Sequence, residues 1–204
     1  MRKRRPQHEL EETICQYIKE PPLALYDIGV GNKTEWRTLL KRYPNMHVYG
    51  CEPHPQLFRK LTRIFPGGLV RVAIGMGDKA KLYLRKGSTN IGSTTVFPLD
   101  ETEEVDEVNV WSLDQFDRWA GRWERILLWM DIEGSELNAL KSGPALLESR
   151  RVNWINLEVR DESPCEGWCT AKEIDEFLTL YGYKKVLEYN DQKTHRDVIY
   201  VLGE

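Results

Sequence analysis

The sequence has no apolar run long enough to cross a membrane, and its first residues, Met1 to Pro6, lack the apolar stretch of a secretory signal. Only four cysteines occur among 204 residues, and they are scattered, which favours free thiols in a reducing compartment. A chain of this length buries a sizeable core without disulfides or metal. We therefore predict one cytoplasmic domain over residues 1–204, with a leading segment over 1–21 and a core over 22–204.

The sequence also has little net charge. Its 29 basic and 32 acidic residues give a net charge of -3, which is too small to draw in nucleic acid or an anionic membrane. Basic residues crowd positions 2–5, and acidic residues crowd positions 100–107. Both runs are typical of solvated segments, and RNA or phosphate contact through the basic tip is the alternative. Neither nucleic acid nor a membrane is an expected partner.

What the sequence does contain is an alternation of apolar runs with amphipathic segments. The runs predict buried strands with helices between them, over residues 23–26, 46–51, 69–74, 126–130 and 152–157. Near the end, residues 184–188 and 198–202 predict an antiparallel pair. This order of elements predicts an α/β fold, a three-layer doubly wound domain with a mostly parallel sheet.

Residues able to bind a ligand follow the first two runs, where the carboxyl ends of parallel strands meet. The first run leads into Asp27-Ile28-Gly29-Val30-Gly31-Asn32, whose glycines allow a sharp turn and a close approach to a ligand. Glu52 follows the second run, and a carboxylate there can accept both hydroxyl hydrogens of a ribose. The glycine turn and Glu52 together predict an adenosine-containing ligand.

The residues around this turn also favour one adenosine ligand over others. Lys33, Thr34 and Glu35 stand where the third glycine of a dinucleotide site would fall, and no complete triphosphate-binding loop is present. A ring of carboxylates after the strands repels phosphate but suits the sulfonium and ammonium groups of S-adenosylmethionine. We predict that this cofactor is held by Asp27, Gly29, Val30, Gly31, Asn32, Glu52, Pro53, Ala73, Ile74 and Asp131.

Several segments resemble the FkbM family of S-adenosylmethionine-dependent methyltransferases. They are residues 27–31, Cys51-Glu52-Pro53, the run from Met130 to Glu136, and Leu157-Glu158-Val159-Arg160. The resemblance extends from about residue 23 to residue 202, and its most distinctive piece is the Asp-x-Glu-Gly-x-Glu pattern that begins at Asp131. The sequence departs from the family at Gly31 and Lys33 in the glycine turn, and at Trp129, where a lysine is common.

The resemblance implies a Rossmann-like class I methyltransferase fold with a seven-stranded sheet whose last strand is antiparallel. It also implies methylation of a hydroxyl on a sugar, a glycan or another small natural product. The alternatives are an RNA methyltransferase that uses the basic tip, and an S-adenosylmethionine-binding protein without turnover. The oligomeric state is left open.

Asp131 and Glu158 end adjacent predicted strands and are our candidate catalytic residues. A neutral hydroxyl is a poor nucleophile, so a group that takes its proton assists the reaction. We place Asp131 near the methionine end of the cofactor and Glu158 as the base or as a ligand of a divalent metal ion, although no metal site is assigned. The competing interpretation is that Glu158 pairs with Arg160 or caps a loop.

Three other side chains receive structural interpretations. Glu136 opens a helix, where a carboxylate caps the free amides. His54 is a lone loop histidine, for which an exposed position is expected. Trp168 follows the fifth run and is a candidate for the wall of an acceptor pocket.

Overall fold

The apolar runs form the central sheet in a computed structural model, which describes residues 13–32, 35–99, 102–189 and 196–203. The strands are β1 Ala24–Ile28, β2 His47–Cys51, β3 Gly68–Val70, β4 Ala73–Ile74, β5 Lys79–Arg85, β6 Thr102–Trp111, β7 Ile126–Met130, β8 Val152–Val159, β9 Tyr183–Tyr189 and β10 Arg196–Leu202. The helices are α1 Glu35–Arg42, α2 Pro55–Leu61, α3 Leu113–Ala120, α4 Glu136–Lys141, α5 Pro144–Glu148 and α6 Ala171–Leu180, with a short 3₁₀ helix at Ile91–Ser93.

The main sheet has seven strands in the order β3-β2-β1-β7-β8-β10-β9. Parallel pairing joins β3, β2, β1, β7 and β8, whereas β10 is antiparallel to both of its neighbours. The predicted mostly parallel seven-stranded sheet with an antiparallel last strand is confirmed. β1 has β2 on one side and β7 on the other, so the strand order reverses direction between β1 and β7. The carboxyl ends of these two strands form the switch point at which such sheets bind ligands.

Two apolar layers cover the faces of this sheet. All residues of β1 and β7 are buried, and successive side chains alternate between the two layers. Tyr26 and Phe116 of α3 belong to one core cluster, and Leu25 and Trp36 of α1 belong to the other. The three-layer arrangement follows because both faces of a parallel sheet must be covered by helices.

A second sheet, with strand order β4-β6-β5, includes most of the acidic run, whose described carboxylates lie largely at the surface, as expected for a solvated segment. Asp100 and Glu101 lie outside the described residues. The rest of the run belongs to β6, where Glu107 pairs with Lys79 at 2.6 Å and Glu104 pairs with Lys81 at 2.8 Å. The lysines of β5 offset the repulsion that would otherwise disfavour a strand of this composition.

The predicted strand at 69–74 divides between the two sheets. Its first part is β3 at the edge of the main sheet, and its second part is β4, which pairs with β6. Between them the Arg71 guanidinium contacts Asp106 and donates to the carbonyl of Pro53 at 3.1 Å. This junction places the second sheet beside the carboxyl ends of β2 and β3, next to the switch point.

The segment after β5 folds back toward this edge. Tyr83 and Thr95 exchange backbone hydrogen bonds of 2.8 and 2.9 Å, which hold the 3₁₀ helix near the glycine turn. The leading segment over residues 1–21 lies partly outside the described residues, and Ile14 in its described part is buried. In the described ranges, no helix has the length and apolarity needed to cross a membrane.

Candidate active site

The turns after β1 and β7 pack backbone against backbone. Gly29 has φ +83°, and a Cβ atom at this position would lie 2.3 Å from the carbonyl oxygen of Asp131. The Asp131 amide in turn donates to the carbonyl of Ile28 at 3.1 Å. Only glycine adopts this left-handed conformation readily and also fits where there is no space for a Cβ atom. The fold therefore requires glycine at position 29.

Glu52 lies against the same turn, as the sequence predicted. Its Oε2 accepts a hydrogen bond from the Gly31 amide at 2.7 Å, and its Oε1 accepts one from the His54 amide at 2.7 Å. The side chain is buried, with 3% of the residue exposed. Burial raises the pKa of Glu52 from 4.5 to about 7, although the two amide donors favour the charged form.

His54 is buried, which corrects the expectation of an exposed loop histidine. It is the N-cap of α2, where its Nδ1 accepts a hydrogen bond from the Gln56 amide at 3.3 Å. Burial lowers the pKa of His54, so the neutral ring is favoured in this cap. Its contribution to the site is through its backbone, which orients the carboxylate of Glu52.

A pocket, here called the glycine-turn pocket, opens beside these residues. It is lined by Gly29, Gly31, Cys51, Glu52, Pro53, Val72, Ala73, Ile74, Leu82, Ile91, Gly92, Thr94, Val96, Asp131, Ile132, Glu133 and Ser135. Among these described residues there are carboxylates but no lysine, arginine or histidine. Most of the predicted cofactor set therefore lies together, whereas Asp27 and Val30 are buried outside the lining and Asn32 lines the adjoining pocket.

A larger pocket, here called the Glu158 pocket, adjoins the first. Its lining comprises Gly29, Gly31, Asn32, Asn90, Gly92, Ser93, Thr95, Leu99, Thr102, Asp131, Glu133, Glu158, Arg160, Pro164 and Trp168. The residues common to both linings mark their junction and are Gly29, Gly31, Gly92, Asp131 and Glu133. The structure thus brings the two predicted catalytic carboxylates, Asp131 and Glu158, to one pocket, and it places Trp168 in the wall as expected.

The ion pair that the structure gives Arg160 is with Glu133. The closest nitrogen and oxygen atoms of the two groups are 3.9 Å apart, and the Arg160 guanidinium lies over the Trp168 ring at 5.2 Å from its centroid. Glu158 lies on β8 directly opposite Asp197 of β10. The two strands thus place a second carboxylate next to Glu158.

Glu136 binds the backbone of the turn after β7, and its predicted capping role fits this geometry. Its Oε1 accepts hydrogen bonds from the amides of Ile132 and Gly134 at 3.0 and 3.4 Å, and its Oε2 accepts one from the Cys169 thiol at 3.4 Å. Burial raises the pKa of Glu136 to about 7. Glu133 has φ +51°, a left-handed conformation that is costly for a residue with a side chain.

The sequence identified Ala73 and Ile74 of β4 in the second sheet, but it did not identify the contribution of β5 to the site. Leu82 of β5 and Ile91 of the 3₁₀ helix line the glycine-turn pocket, and the Thr95 hydroxyl donates to the carbonyl of Glu133 at 3.2 Å. These positions carry no motif, because their role follows from the β5–β6 pairing and not from local sequence. In the part of the chain that the structure describes, no cluster of three or more His, Cys, Asp or Glu side chains could hold a metal ion.

Comparison with protein families matches the Methyltransferase FkbM domain over residues 27–185. The chain belongs to this family. Family membership confirms the predicted class, a methyltransferase whose cofactor is S-adenosylmethionine. Comparison with curated protein sequences gives no match.

Solved structures of methyltransferases share the fold at low sequence identity. The FkbM methyltransferase from Methylobacillus flagellatus aligns with TM-score 0.53 and 14% identity over 89% of this chain and 44% of its own, so this chain spans less than half of that protein. A SAM-dependent methyltransferase from Aquifex aeolicus aligns with TM-score 0.50 and 13% identity, over 97% of this chain and 94% of its own. Fibrillarin from Aeropyrum pernix, solved with natively bound S-adenosyl-L-methionine, gives TM-score 0.50 and 13% identity, covering 95% and 74%.

The raised pKa of Glu52 predicts a pH-dependent stability. The folded state holds this proton more tightly than the unfolded state, so the stabilising contribution is complete below pH 4.5 and is lost as the pH rises through about 7. Urea unfolding of the wild type should therefore give a lower free energy of unfolding at pH 8 than at pH 5. Glu52→Gln removes the titrating group and should reduce this decline, leaving the part due to Glu136. An identical decline in the variant and the wild type would refute the assignment.

Proposed function

We propose that the protein is an O-methyltransferase that binds S-adenosylmethionine in the glycine-turn pocket and a small hydroxylated acceptor, such as a sugar, in the Glu158 pocket. The observation that carries the proposal is the buried Glu52 carboxylate at 2.7 Å from the Gly31 amide, inside a pocket that continues into a second one. A carboxylate in this place suits the ribose hydroxyls of an adenosine group.

The residues of the glycine-turn pocket fit such a cofactor. A Cβ atom at Gly31 would meet nothing nearer than the Gly29 carbonyl at 3.8 Å, so the backbone there is open to a ligand. Ala73 and Ile74 of β4 would offer an apolar surface to the adenine, and Asp131 would face the ammonium or sulfonium charge. When bound, S-adenosylmethionine supplies an electrophilic methyl group.

The lining of the Glu158 pocket supports a hydroxylated acceptor. Amide and hydroxyl side chains can exchange hydrogen bonds with several acceptor hydroxyls, and they come from Asn32, Asn90, Ser93, Thr95 and Thr102. In this proposal Glu158 takes the proton of the hydroxyl to be methylated, and Asp131 holds the junction with the cofactor. Binding of both partners in adjoining pockets supplies the proximity on which such a transfer depends.

The cellular location and the domain count are further parts of the proposal, and RNA methylation is an alternative to it. The four cysteines are free thiols, which is consistent with the proposed cytoplasmic location. A single domain over residues 1–204 stays a prediction. The basic tip of the RNA methyltransferase alternative lies outside the described residues, and no described contact favours RNA.

Cofactor binding can be measured before any acceptor is known. Calorimetry should show binding of S-adenosylmethionine and of its demethylated product, S-adenosylhomocysteine, but not of NAD. Glu52→Gln should weaken both by about 10- to 100-fold, because a charge-assisted hydrogen bond contributes about 1.5–3 kcal/mol. Lys81→Gln, which alters an exposed pair on the second sheet, is the matched control and should bind like the wild type. Binding of NAD in preference to S-adenosylmethionine would overturn the proposal.

Turnover tests the role of Glu158. A panel of hydroxylated small molecules is offered with S-adenosylmethionine, and release of S-adenosylhomocysteine is followed. Glu158→Gln should abolish turnover while the dissociation constant of the cofactor stays within about threefold, because an amide cannot take the proton. Retained turnover would remove Glu158 from the mechanism, and binding without turnover on any acceptor would favour a non-catalytic protein.

A further inference from the structure

We propose that Trp168 determines specificity by setting the size of the group that can be accommodated next to the transferred methyl group. The inference rests on the proposed function, since it takes the Glu158 pocket as the acceptor site. Trp168 lines this pocket but not the glycine-turn pocket. It therefore limits the space on the acceptor side of the junction without touching the proposed cofactor pocket.

The indole of Trp168 packs directly against Gly134, at a position where no side chain would fit. A Cβ atom at Gly134 would lie 2.1 Å from two carbons of the indole, and Gly134 has φ +93°. The Cys169 amide donates to the carbonyl of Gly134 at 3.1 Å, so backbone and ring are both fixed to the same turn. The turn after β7 is thus shaped around Trp168.

Other contacts hold the ring in this seat. The Arg160 guanidinium lies over it, and the Phe97 ring packs against it with centroids 5.5 Å apart. The loop that carries Trp168 is tied to β10 by two hydrogen bonds from Arg196 to Asp161, at 2.5 and 2.6 Å. Only 7% of Trp168 is exposed. A ring with these contacts resists displacement and acts as a fixed wall.

A small third pocket, here called the rear pocket, also lies against the Trp168 ring. It is lined by Asp131, Glu133, Gly134, Glu136, Glu158, Val159, Arg160, Trp168 and Cys169. The rear pocket shares Asp131, Glu133, Glu158, Arg160 and Trp168 with the Glu158 pocket, so removal of the indole would enlarge this common space. The space gained lies beside Asp131 and Glu158, where the group transferred from the cofactor would meet the acceptor.

The test uses cofactor analogues, so it needs no acceptor. Calorimetry compares S-adenosylmethionine with the analogue in which benzyl replaces the methyl on sulfur, for the wild type, Trp168→Phe and Trp168→Ala. The wild type should bind the methyl compound at least about tenfold more tightly, because a fixed wall excludes the larger group. Trp168→Ala should reduce this ratio at least about fivefold, and Trp168→Phe should give an intermediate value.

Trp119→Ala removes an exposed indole of α3 that lines none of these pockets, and it should keep the wild-type ratio. An unchanged ratio in Trp168→Ala, with S-adenosylmethionine still bound, would overturn the inference while the proposed function stands. Failure of the wild type to bind S-adenosylmethionine would overturn the proposed function instead. If circular dichroism shows that Trp168→Ala is unfolded, the ratio in Trp168→Phe decides.

Discussion

The hydrogen bond from the Gly31 amide to the Glu52 carboxylate joins the turn after β1 to the end of β2, and the geometry of the site depends on it. An ionised carboxylate loses solvation on burial, so it stays in such a place only if donors compensate. Here two backbone amides do so. Both donors lie three residues beyond the end of a parallel strand, Gly31 after β1 and His54 after β2, so the register of the sheet fixes the carboxylate.

The same logic extends across the switch point. Gly29 allows the turn after β1 to touch the backbone at Asp131, which brings the end of β7 beside the end of β1. Glu136 accepts hydrogen bonds from the turn after β7, and the Trp168 ring packs in the space left by the missing side chain of Gly134. In each turn, a glycine leaves space for a neighbouring group. A buried side chain then either occupies that space or binds the backbone amides of the turn.

The part of the site that follows strands could be predicted from sequence. An unbroken apolar run marks a doubly buried strand, and the residue that ends it must lie at the carboxyl edge, which is why Glu52, Asp131 and Glu158 were identified. The second sheet could not be predicted in the same way. Its strand β6 is rich in acids, and only pairing with the lysines of β5, distant in sequence, shows that it is a strand. Of the residues that this sheet brings to the pocket, Ala73 and Ile74 of β4 were predicted, whereas Leu82 of β5 was missed for the same reason.

Trp129, which stands where the family commonly has a lysine, lies in the hydrophobic core. Trp129 is buried in the cluster that contains Leu127, Trp154 and Ile199, and it lines neither the glycine-turn pocket nor the Glu158 pocket. Trp129 therefore belongs to the core layer on one face of the sheet and not to the lining of either pocket.

The most direct measurement is a crystal structure with S-adenosylhomocysteine. The account predicts that both ribose hydroxyls bind Glu52 and that the sulfur faces the junction at Asp131, with the Glu158 pocket open beyond it. A ligand bound elsewhere, or an adenosine group that leaves Glu52 bound only to its own backbone amides, would contradict it.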